Sequence, residues 1–395
     1  MFLPDSISQF PTYSFAYSIP YLIVAIVVTI IGKEWVFKNT PKPFPDKYLK
    51  LIISLFILFF GLRWHLFSDS IVYERDYNSI SINYGLLANY KDLPSIDVGY
   101  LCFMWLFKMT GANYAVFQFF NTIIDFILFY LCIKRYSVNP VITCLFFIAF
   151  TGIQTECNLL RNIKVILIFI LSLKLIEEHK LGKYILCHIF CSTVHISSLL
   201  FIPMYWIINK KWNFRVVFVL SSIAVFIYLF AANALSQFFD DLISMALGVG
   251  DVFYKLQLHT QNETENVLSI GTIERIGFLV LVIINYRTIK ERSGRDLIFC
   301  NMYLIYFFLY AIFGFNFVFR DRIPTLFVAS YWFVAPILMV RLRHKIPFLK
   351  VSLILLAFLK VYASTRMCSA YYETVLFHKT TIEQRENFNY MLDED

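Results

Sequence analysis

The chain has 395 residues, of which 59% are hydrophobic and only 16% charged, and its formal net charge is +8. Soluble domains are about 45–50% apolar and about 25% charged, so this composition excludes an ordinary soluble protein. Most of the excess positive charge lies in short loops between apolar segments, where it indicates membrane topology, and we expect no nucleic-acid partner.

Apolar segments that approach the roughly 20 residues needed to span a bilayer recur along the chain. The predicted spans cover residues 17–31, 51–66, 113–133, 141–151, 160–176, 216–232, 272–286, 297–315, 323–340 and 348–363. Residues 97–111 are too short for a span and favour a re-entrant or interfacial helix. The sequence therefore predicts an all-α, polytopic transmembrane helical bundle of about 11–13 helical segments, some short or re-entrant. We find no repeat or linker, so residues 1–395 are expected to form a single integral membrane domain.

The charges between the apolar segments predict the orientation of the chain. Five lysines follow the first span, and positively charged loops are usually cytoplasmic, so the N-terminus is expected to be external. Two long external loops are then predicted at residues 67–97 and 233–271, each with five acidic residues. The residues from 365 onwards would form an external polar tail.

One apolar segment does not fit a chain that simply crosses the membrane at each apolar segment. Lys183 and the basic cluster Lys210, Lys211 and Arg215 both look cytoplasmic, although about 25 largely apolar residues separate them. A single straight helix would place the two clusters on opposite sides of the membrane. We therefore predict a broken arrangement, in which two short helices meet near His195 and the chain returns to the same side.

Four potential metal ligands also fall in this segment. Cys187, His188, Cys191 and His195 follow one another at helical spacings. No carboxylate or further paired ligand accompanies them, as a zinc site would require. We interpret them as ordinary helix residues and predict no metal site.

Several polar residues map to the external face or just below it. They are Arg63, Asp69, Asp97, Glu156, Arg161, His195, Arg275, Arg320 and Arg322. Positive charge is normally biased to the other side, so arginines here need another reason. A guanidinium binds phosphate oxygens in bidentate fashion, and the cluster therefore suggests a lipid phosphate or pyrophosphate ligand.

Apart from Arg63, these residues also have a structural interpretation that the sequence leaves open. Arg161 could pair with Glu156, and Arg275 with Glu274. Arg320 and Arg322 could pair with Asp321, which lies between them. His195 could be a satisfied core histidine, and Asp69 and Asp97 could be solvated loop charges. Asp125 lies inside an apolar span and is either a helix–helix contact or the partner of a lysine.

Spaced fragments along residues 15–340 resemble the EpsG/Wzy-like family of bacterial polysaccharide polymerases. The fragments are Gly61-Leu62-Arg63, Asp69 with Tyr73, Asp97-Val98-Gly99-Tyr100, Arg161-Asn162, His195 with Ser197 and Pro203, and Arg320-Asp321-Arg322. Two departures stand out, because the family often has glutamate where Asp97 stands and glutamine where Asn162 stands.

The resemblance implies a GT-C-like enzyme that joins oligosaccharide repeat units carried on undecaprenyl pyrophosphate, at the external face of the bacterial inner membrane. Arg63, Arg161, Arg320 and Arg322 would hold the pyrophosphate leaving group. His195, Asp69 or Asp97 would serve as the catalytic base, and Tyr73 and Tyr100 would bind sugars. The resemblance implies no metal and no cofactor. Besides the lipid bilayer, a chain-length regulator and a flippase would be its partners.

Two other functions remain open at this stage. Another lipid-linked glycan transferase, such as an O-antigen ligase, would share the pyrophosphate chemistry and differ only in its acceptor. A polysaccharide flippase or transporter would usually carry internal repeats and a site near the membrane midplane. The clustering of the polar residues towards one face favours an enzyme.

Overall fold

The computed structural model describes residues 10–37, 43–83, 85–93, 95–231, 270–313, 322–342, 346 and 348–390. These residues form helices and connecting turns, so the prediction of an all-α polytopic bundle is confirmed. Within these residues, four helical segments are suited by length and composition to crossing a membrane: Tyr114–Tyr136, Pro140–Cys157, Gly294–Phe313 and Pro324–Leu342. Most of the predicted loop at 233–271 lies outside the described residues, as does Arg320.

The chain divides into two compact units, one comprising Met1–Tyr205 with Phe348–Asp395 and the other Trp206–Pro347. The first unit begins with α1 (Phe15–Ile31), α2 (Lys33–Phe37), α3 (Asp46–Gly61), α4 (Asp69–Ser79), α5 (Leu86–Asp92) and α6 (Val98–Met109). It continues with α7 (Tyr114–Tyr136), α8 (Pro140–Phe147), α9 (Ile153–Cys157), α10 (Asn162–Glu177) and α11 (Leu181–Ser192). The predicted external loop at 67–97 thus contains two helices, α4 and α5.

The unit boundary falls within α12 (Met204–Ile207). The second unit contains α13 (Phe214–Phe226), α14 (Ile270–Arg292), α15 (Gly294–Phe313) and α16 (Ala329–Leu342). The chain then completes the first unit with α17 (Leu349–Thr365) and α18 (Ile382–Tyr390).

Local signals explain where several helices begin. The Asn113 side chain accepts a hydrogen bond from Val116 N–H at the start of α7, and Asn139 does the same for Ile142 at the start of α8. Each cap satisfies a backbone donor that the first helical turn leaves without a partner. Lys134 and Arg135 occupy the last turn of α7, where positive charge is favoured by the helix dipole.

Phenylalanine side chains form the contact between α3, α7 and α8. The Phe60 and Phe126 rings stack with their centroids 5.5 Å apart, and the Phe129 and Phe147 centroids are separated by 4.6 Å. All four side chains are buried. This aromatic core fixes α7, which carries several of the polar residues described below.

Buried charges inside the first unit are paired. Lys164 Nζ lies 2.7 Å and 2.9 Å from the two carboxylate oxygens of Asp125, which confirms that Asp125 is the partner of a lysine. Arg63 and Glu156 form a second buried pair. A buried charge without a partner would be far more costly than either pair.

The predicted break near His195 is confirmed. Helix α11 ends at Ser192, His195 is extended with φ −156° and ψ 128°, and a 3₁₀ turn follows at Ile196–Phe201. This turn runs back along α11, because the Tyr184 hydroxyl donates to the Phe201 carbonyl at 2.6 Å. His188 lies between the Ser172 and Ser198 hydroxyls, at 3.1 Å and 3.0 Å.

The residues after α17 pack back onto the first unit, although the sequence predicted only a polar tail. Trp64 N–H donates to the Glu373 carbonyl and Val375 N–H to the Leu62 carbonyl, both at 2.8 Å. Phe67 N–H donates to the Ser369 carbonyl at 3.0 Å. We call residues 366–390 the C-terminal segment. It holds the connection between α3 and α4, which carries Arg63 and leads into Asp69, the first residue of α4.

Candidate active site

Arg161 lies in the short break between α9 and α10. Its Nη1 donates to Asp97 Oδ2 at 2.9 Å and to the Ser95 carbonyl at 3.0 Å, and its Nε donates to the Tyr73 hydroxyl at 3.1 Å. The Arg161 side chain keeps 19% of its surface exposed. Its Nη2 makes no hydrogen bond to any described residue, so one edge of the guanidinium remains able to donate to a ligand.

The Asp97 carboxylate lies between Arg161 and His195. His195 Nδ1 is 3.4 Å from Asp97 Oδ2, a separation typical of an ion pair and longer than a normal hydrogen bond. The Ile196 N–H also hydrogen-bonds this carboxylate. Burial raises the pKa of the Asp97 carboxyl above its usual range, and the nearby Arg161 charge opposes that rise only in part.

The break after α11 brings His195 to Asp97. Asp97 immediately precedes α6, and the first turn of that helix is anchored on the break, since Gly99 N–H donates to the Thr193 carbonyl at 2.7 Å. A Cβ on residue 99 would lie 2.4 Å from Thr193 Oγ1 and 2.9 Å from its carbonyl oxygen. Only glycine allows this close approach, which sets the distance between the Asp97 and His195 backbones.

Helix α4 contributes Asp69 and Tyr73, which are four residues apart and therefore on one face. The Tyr73 ring lies 5.8 Å from the Arg161 guanidinium carbon and packs edge-on against Tyr100. The Asp69 N–H donates to Asn158 Oδ1 at 2.8 Å, which ties the start of α4 to the α9–α10 break. Asp76, on the same helix, interacts electrostatically with Arg161. The sequence had shown Asp76 only as one of several loop acids.

Tyr100 packs against Tyr73 and has only 1% of its surface exposed. Its hydroxyl contacts Asn121 Oδ1 at 3.4 Å, and its ring lies 5.9 Å from Lys164 Nζ. Tyr73 is also largely covered, with 7% exposed. Sugar binding by Tyr73 and Tyr100 stays a prediction; in this structure Tyr73 contacts Arg161, and Tyr100 packs against Tyr73.

Arg63 makes separate contacts. Its guanidinium is 1% exposed and donates to the Phe60 carbonyl, to Thr122 Oγ1 at 3.1 Å and to the Glu156 carbonyl at 3.1 Å. Its Nη1 is also 3.7 Å from Glu156 Oε1. The alternative pairing of Arg161 with Glu156 is therefore wrong, because each arginine has a different carboxylate partner.

Arg322 belongs to the second unit and is exposed, and Arg320 lies outside the described residues. Their predicted contacts with pyrophosphate therefore stay predictions. No group of three or more His, Cys, Asp or Glu side chains suited to a metal ion occurs in the described parts of the chain.

The cluster of Arg161, Asp97 and His195 combines a guanidinium that can donate hydrogen bonds to phosphate with a carboxylate–imidazole pair. Because Nδ1 of His195 faces Asp97, Nε2 is the nitrogen that would receive a proton from a substrate hydroxyl. A guanidinium beside such a pair suits a reaction in which a hydroxyl attacks and a phosphate group leaves.

Comparison with protein families gives a match over most of the chain. The model of the EpsG family matches residues 47–377, a range that includes Arg63, Asp69, Tyr73, Asp97, Tyr100, Arg161, His195, Arg320 and Arg322. No match was found among curated proteins or solved structures.

Proposed function

The chain belongs to the EpsG family of Wzy-like polymerases, and on that basis we propose that it polymerises a surface polysaccharide from lipid-linked repeat units. The observation that carries the proposal is the Asp97 carboxylate, which is held 2.9 Å from Arg161 and 3.4 Å from His195. The substrates would be oligosaccharides on undecaprenyl pyrophosphate. The enzyme would be a glycosyltransferase that transfers the growing chain to the next unit.

In this reaction a hydroxyl oxygen of the acceptor unit forms a bond to the anomeric carbon of the donor chain. The bond between that carbon and the pyrophosphate oxygen breaks, and its electron pair leaves with the pyrophosphate. The hydroxyl proton passes to His195 Nε2. Asp97 stabilises the imidazolium that results, as a carboxylate does in other aspartate–histidine pairs.

Arg161 would stabilise the negative charge that develops on the leaving pyrophosphate. Its Nη2 edge is available for this, while Nε and Nη1 are held by Tyr73, Asp97 and Ser95. A donor fixed by three protein contacts needs little reorganisation during the reaction, which makes its charge more effective. We assign Arg63 a supporting role, since its guanidinium already has internal partners.

Membership of the EpsG family supports a bacterial inner membrane location, and the charge bias in the loops supports an external N-terminus and an external Arg161 site. Lipid-linked repeat units would reach that side through a flippase. A chain-length regulator would act on the same growing chain.

The test is complementation of a deletion strain, with surface glycan resolved by length on a gel. Deletion should remove the long-chain ladder and leave single repeat units, and the wild-type gene should restore it. Arg161→Ala should reach the membrane in normal amounts without restoring the ladder. Arg75→Ala is the matched control, because Arg75 is exposed and forms a surface ion pair with Glu386, at 2.7 Å.

The other outcomes distinguish the alternative functions. Loss of all surface repeats on deletion would indicate a flippase or an earlier step. A normal ladder that is no longer attached to its final acceptor would indicate a ligase. Full activity of Arg161→Ala would contradict the assigned pyrophosphate contact.

A further inference from the structure

A cluster of tyrosines surrounds Arg275 in the second unit. Arg275 lies in the second turn of α14, and its guanidinium carbon is 3.8 Å from the centroid of the Tyr310 ring. Its Nε donates to the Tyr306 hydroxyl at 3.1 Å. The guanidinium therefore lies against one aromatic ring and is fixed in rotation by the hydroxyl of another.

Three structural elements hold this arrangement rigid. Tyr303, Tyr306 and Tyr310 follow one face of α15, and Tyr331 of α16 packs edge-on against Tyr303 and Tyr306. The Tyr303 hydroxyl donates to the Arg275 carbonyl at 2.7 Å, which joins α15 to α14. All four tyrosines are buried, and their contacts fix the position of Arg275 before any ligand binds.

The positive charge of Arg275 has no carboxylate in ion-pair contact within the described part of the chain. Its guanidinium contacts Tyr306 and Tyr310 there, and the charge of neighbouring Glu274 acts on it without an ion-pair contact. This differs from Arg63, Arg161, Arg341 and Arg385, each of which lies within 4.0 Å of an acidic side chain. A guanidinium among apolar and aromatic residues of a membrane protein is costly unless an anion accompanies it.

We propose that Arg275 and its tyrosines form a second phosphate-binding site, whose ligand is the phosphate group of a lipid. With one face of the guanidinium on Tyr310 and Nε held by Tyr306, the edge carrying the Nη donors is directed at the ligand. That edge matches two phosphate oxygens in bidentate fashion. The lipid is either an anionic phospholipid or a polyprenyl pyrophosphate, which offer the same phosphate oxygens. Arg275 belongs to the second unit and Arg161 to the first, and binding of an anionic phospholipid would not depend on the proposed polymerase reaction.

The full chain should be tested in phosphatidylcholine nanodiscs, in an Arg161→Ala background so that the first site does not contribute. Phosphatidylglycerol and undecaprenyl pyrophosphate are titrated separately, and bound lipid is counted by native mass spectrometry. Arg275→Ala should weaken binding at least about tenfold, since a charge-assisted contact of this type is lost. Weaker binding of both lipids identifies a general phosphate site, and weaker binding of only one lipid identifies the source of the ligand.

Arg287→Ala is the matched control, because Arg287 lies on the same helix and contacts the Phe214 ring at 4.1 Å but is exposed. It should bind both lipids as the parent does. Size-exclusion chromatography verifies folding. If Arg275→Ala does not fold, Arg275→Lys tests the proposal instead, because lysine keeps the positive charge and lacks the planar guanidinium. Unchanged binding in the folded Arg275 variant, or an equal loss in the Arg287 variant, overturns the proposal.

Discussion

At the scale of single residues, Asp97 connects the two parts of the proposed chemistry. In the proposed reaction it would orient His195 for proton transfer and would also hold Arg161 beside the leaving group, since it lies 3.4 Å and 2.9 Å from them. Both neighbours contact the same carboxylate oxygen, Oδ2. A change at Asp97 should therefore affect both functions together.

Asp97→Asn removes the negative charge and keeps the size of the side chain. We expect the elongation rate to fall by about 10²–10⁴-fold, because the imidazolium loses its stabilising partner. The rate is measured in isolated membranes supplied with lipid-linked repeat units. Asp92→Asn, an exposed position on α5, should elongate at the wild-type rate. A wild-type rate for Asp97→Asn would rule out the aspartate–histidine pair.

The pH dependence of the rate should report on the same carboxyl. Burial raises the pKa of Asp97, and Arg161 lowers it in part. In the proposed mechanism Asp97 must be ionised and His195 must be able to accept a proton. The rate should therefore fall no later than pH falls through this raised pKa, and hence at a higher pH than for an ordinary aspartate. Arg161→Lys loses hydrogen bonds to the carboxylate, so the acidic limb of its residual activity should move to still higher pH. A pH–rate profile that moves in the opposite direction would contradict this account.

The sequence identified Arg161, Asp97 and His195 because polar residues in apolar surroundings are costly and therefore noticeable. It could not identify their partners. Glu156 is closer to Arg161 in sequence than Asp97 is, yet Glu156 pairs with Arg63 across the packing of separate helices. Such pairings depend on helix rotation and on the breaks near Arg161 and Thr193, and local patterns do not encode these directly.

At the scale of elements, the break after α11 positions the site. The sequence predicted this break from the basic residues on either side of the segment. These residues indicate the side of the membrane on which each loop lies, and not where a helix begins or ends. The contact that uses the break could not be predicted in the same way. It joins α6 to Thr193 through a backbone hydrogen bond that requires a residue without a Cβ.

Gly99→Ala should therefore disturb the site without preventing membrane insertion. The added methyl group would meet Thr193 Oγ1 and its carbonyl oxygen, which would push α6 away from the break. Because displacements of about 1 Å can cost 10²-fold in rate, we expect a loss of that order in the elongation assay.

Gly182→Ala is the control for this change. It lies on α11, and a Cβ there meets no atom within 4 Å. It should keep wild-type elongation and membrane abundance. Equal activity of the two variants would show that the approach of α6 to Thr193 does not matter for the reaction.

At the scale of the whole molecule, the end of the chain closes the first unit. The sequence predicted only a tail here, because residues after 365 are polar and show no strong periodicity. Their order depends on specific polar contacts. The Glu373 carboxylate is buried and accepts hydrogen bonds from Lys379 N–H at 2.8 Å and from the Arg385 guanidinium at 2.9 Å. A cluster of this kind leaves no hydrophobic pattern in the sequence.

Glu373→Gln should release the C-terminal segment. Arg385 is 3% exposed and would keep a buried charge without its carboxylate, which typically costs about 3–5 kcal/mol. The segment should then be cut by protease under conditions in which the wild type resists. Glu386→Gln is the control, since Glu386 pairs with Arg75 at the surface, where such pairs contribute about 0–1 kcal/mol.

The same cluster predicts an acid-dependent release. Burial raises the pKa of Glu373, but the hydrogen bonds from Thr380 and Lys379 and the charge of Arg385 outweigh it, and the net pKa is lowered. A lowered pKa means that the stabilisation is complete above the ordinary glutamate pKa and is lost as pH falls through the folded value. Protease sensitivity of the wild-type segment should therefore appear only at a pH below the ordinary glutamate pKa. In Glu373→Gln the sensitivity should be present at neutral pH and should change little on acidification.

The C-terminal segment holds residues 62–67 and hence the start of α4. Elongation by Glu373→Gln should therefore fall in parallel with protease resistance. Full activity in a protein already cut by protease would show that elongation does not depend on this segment.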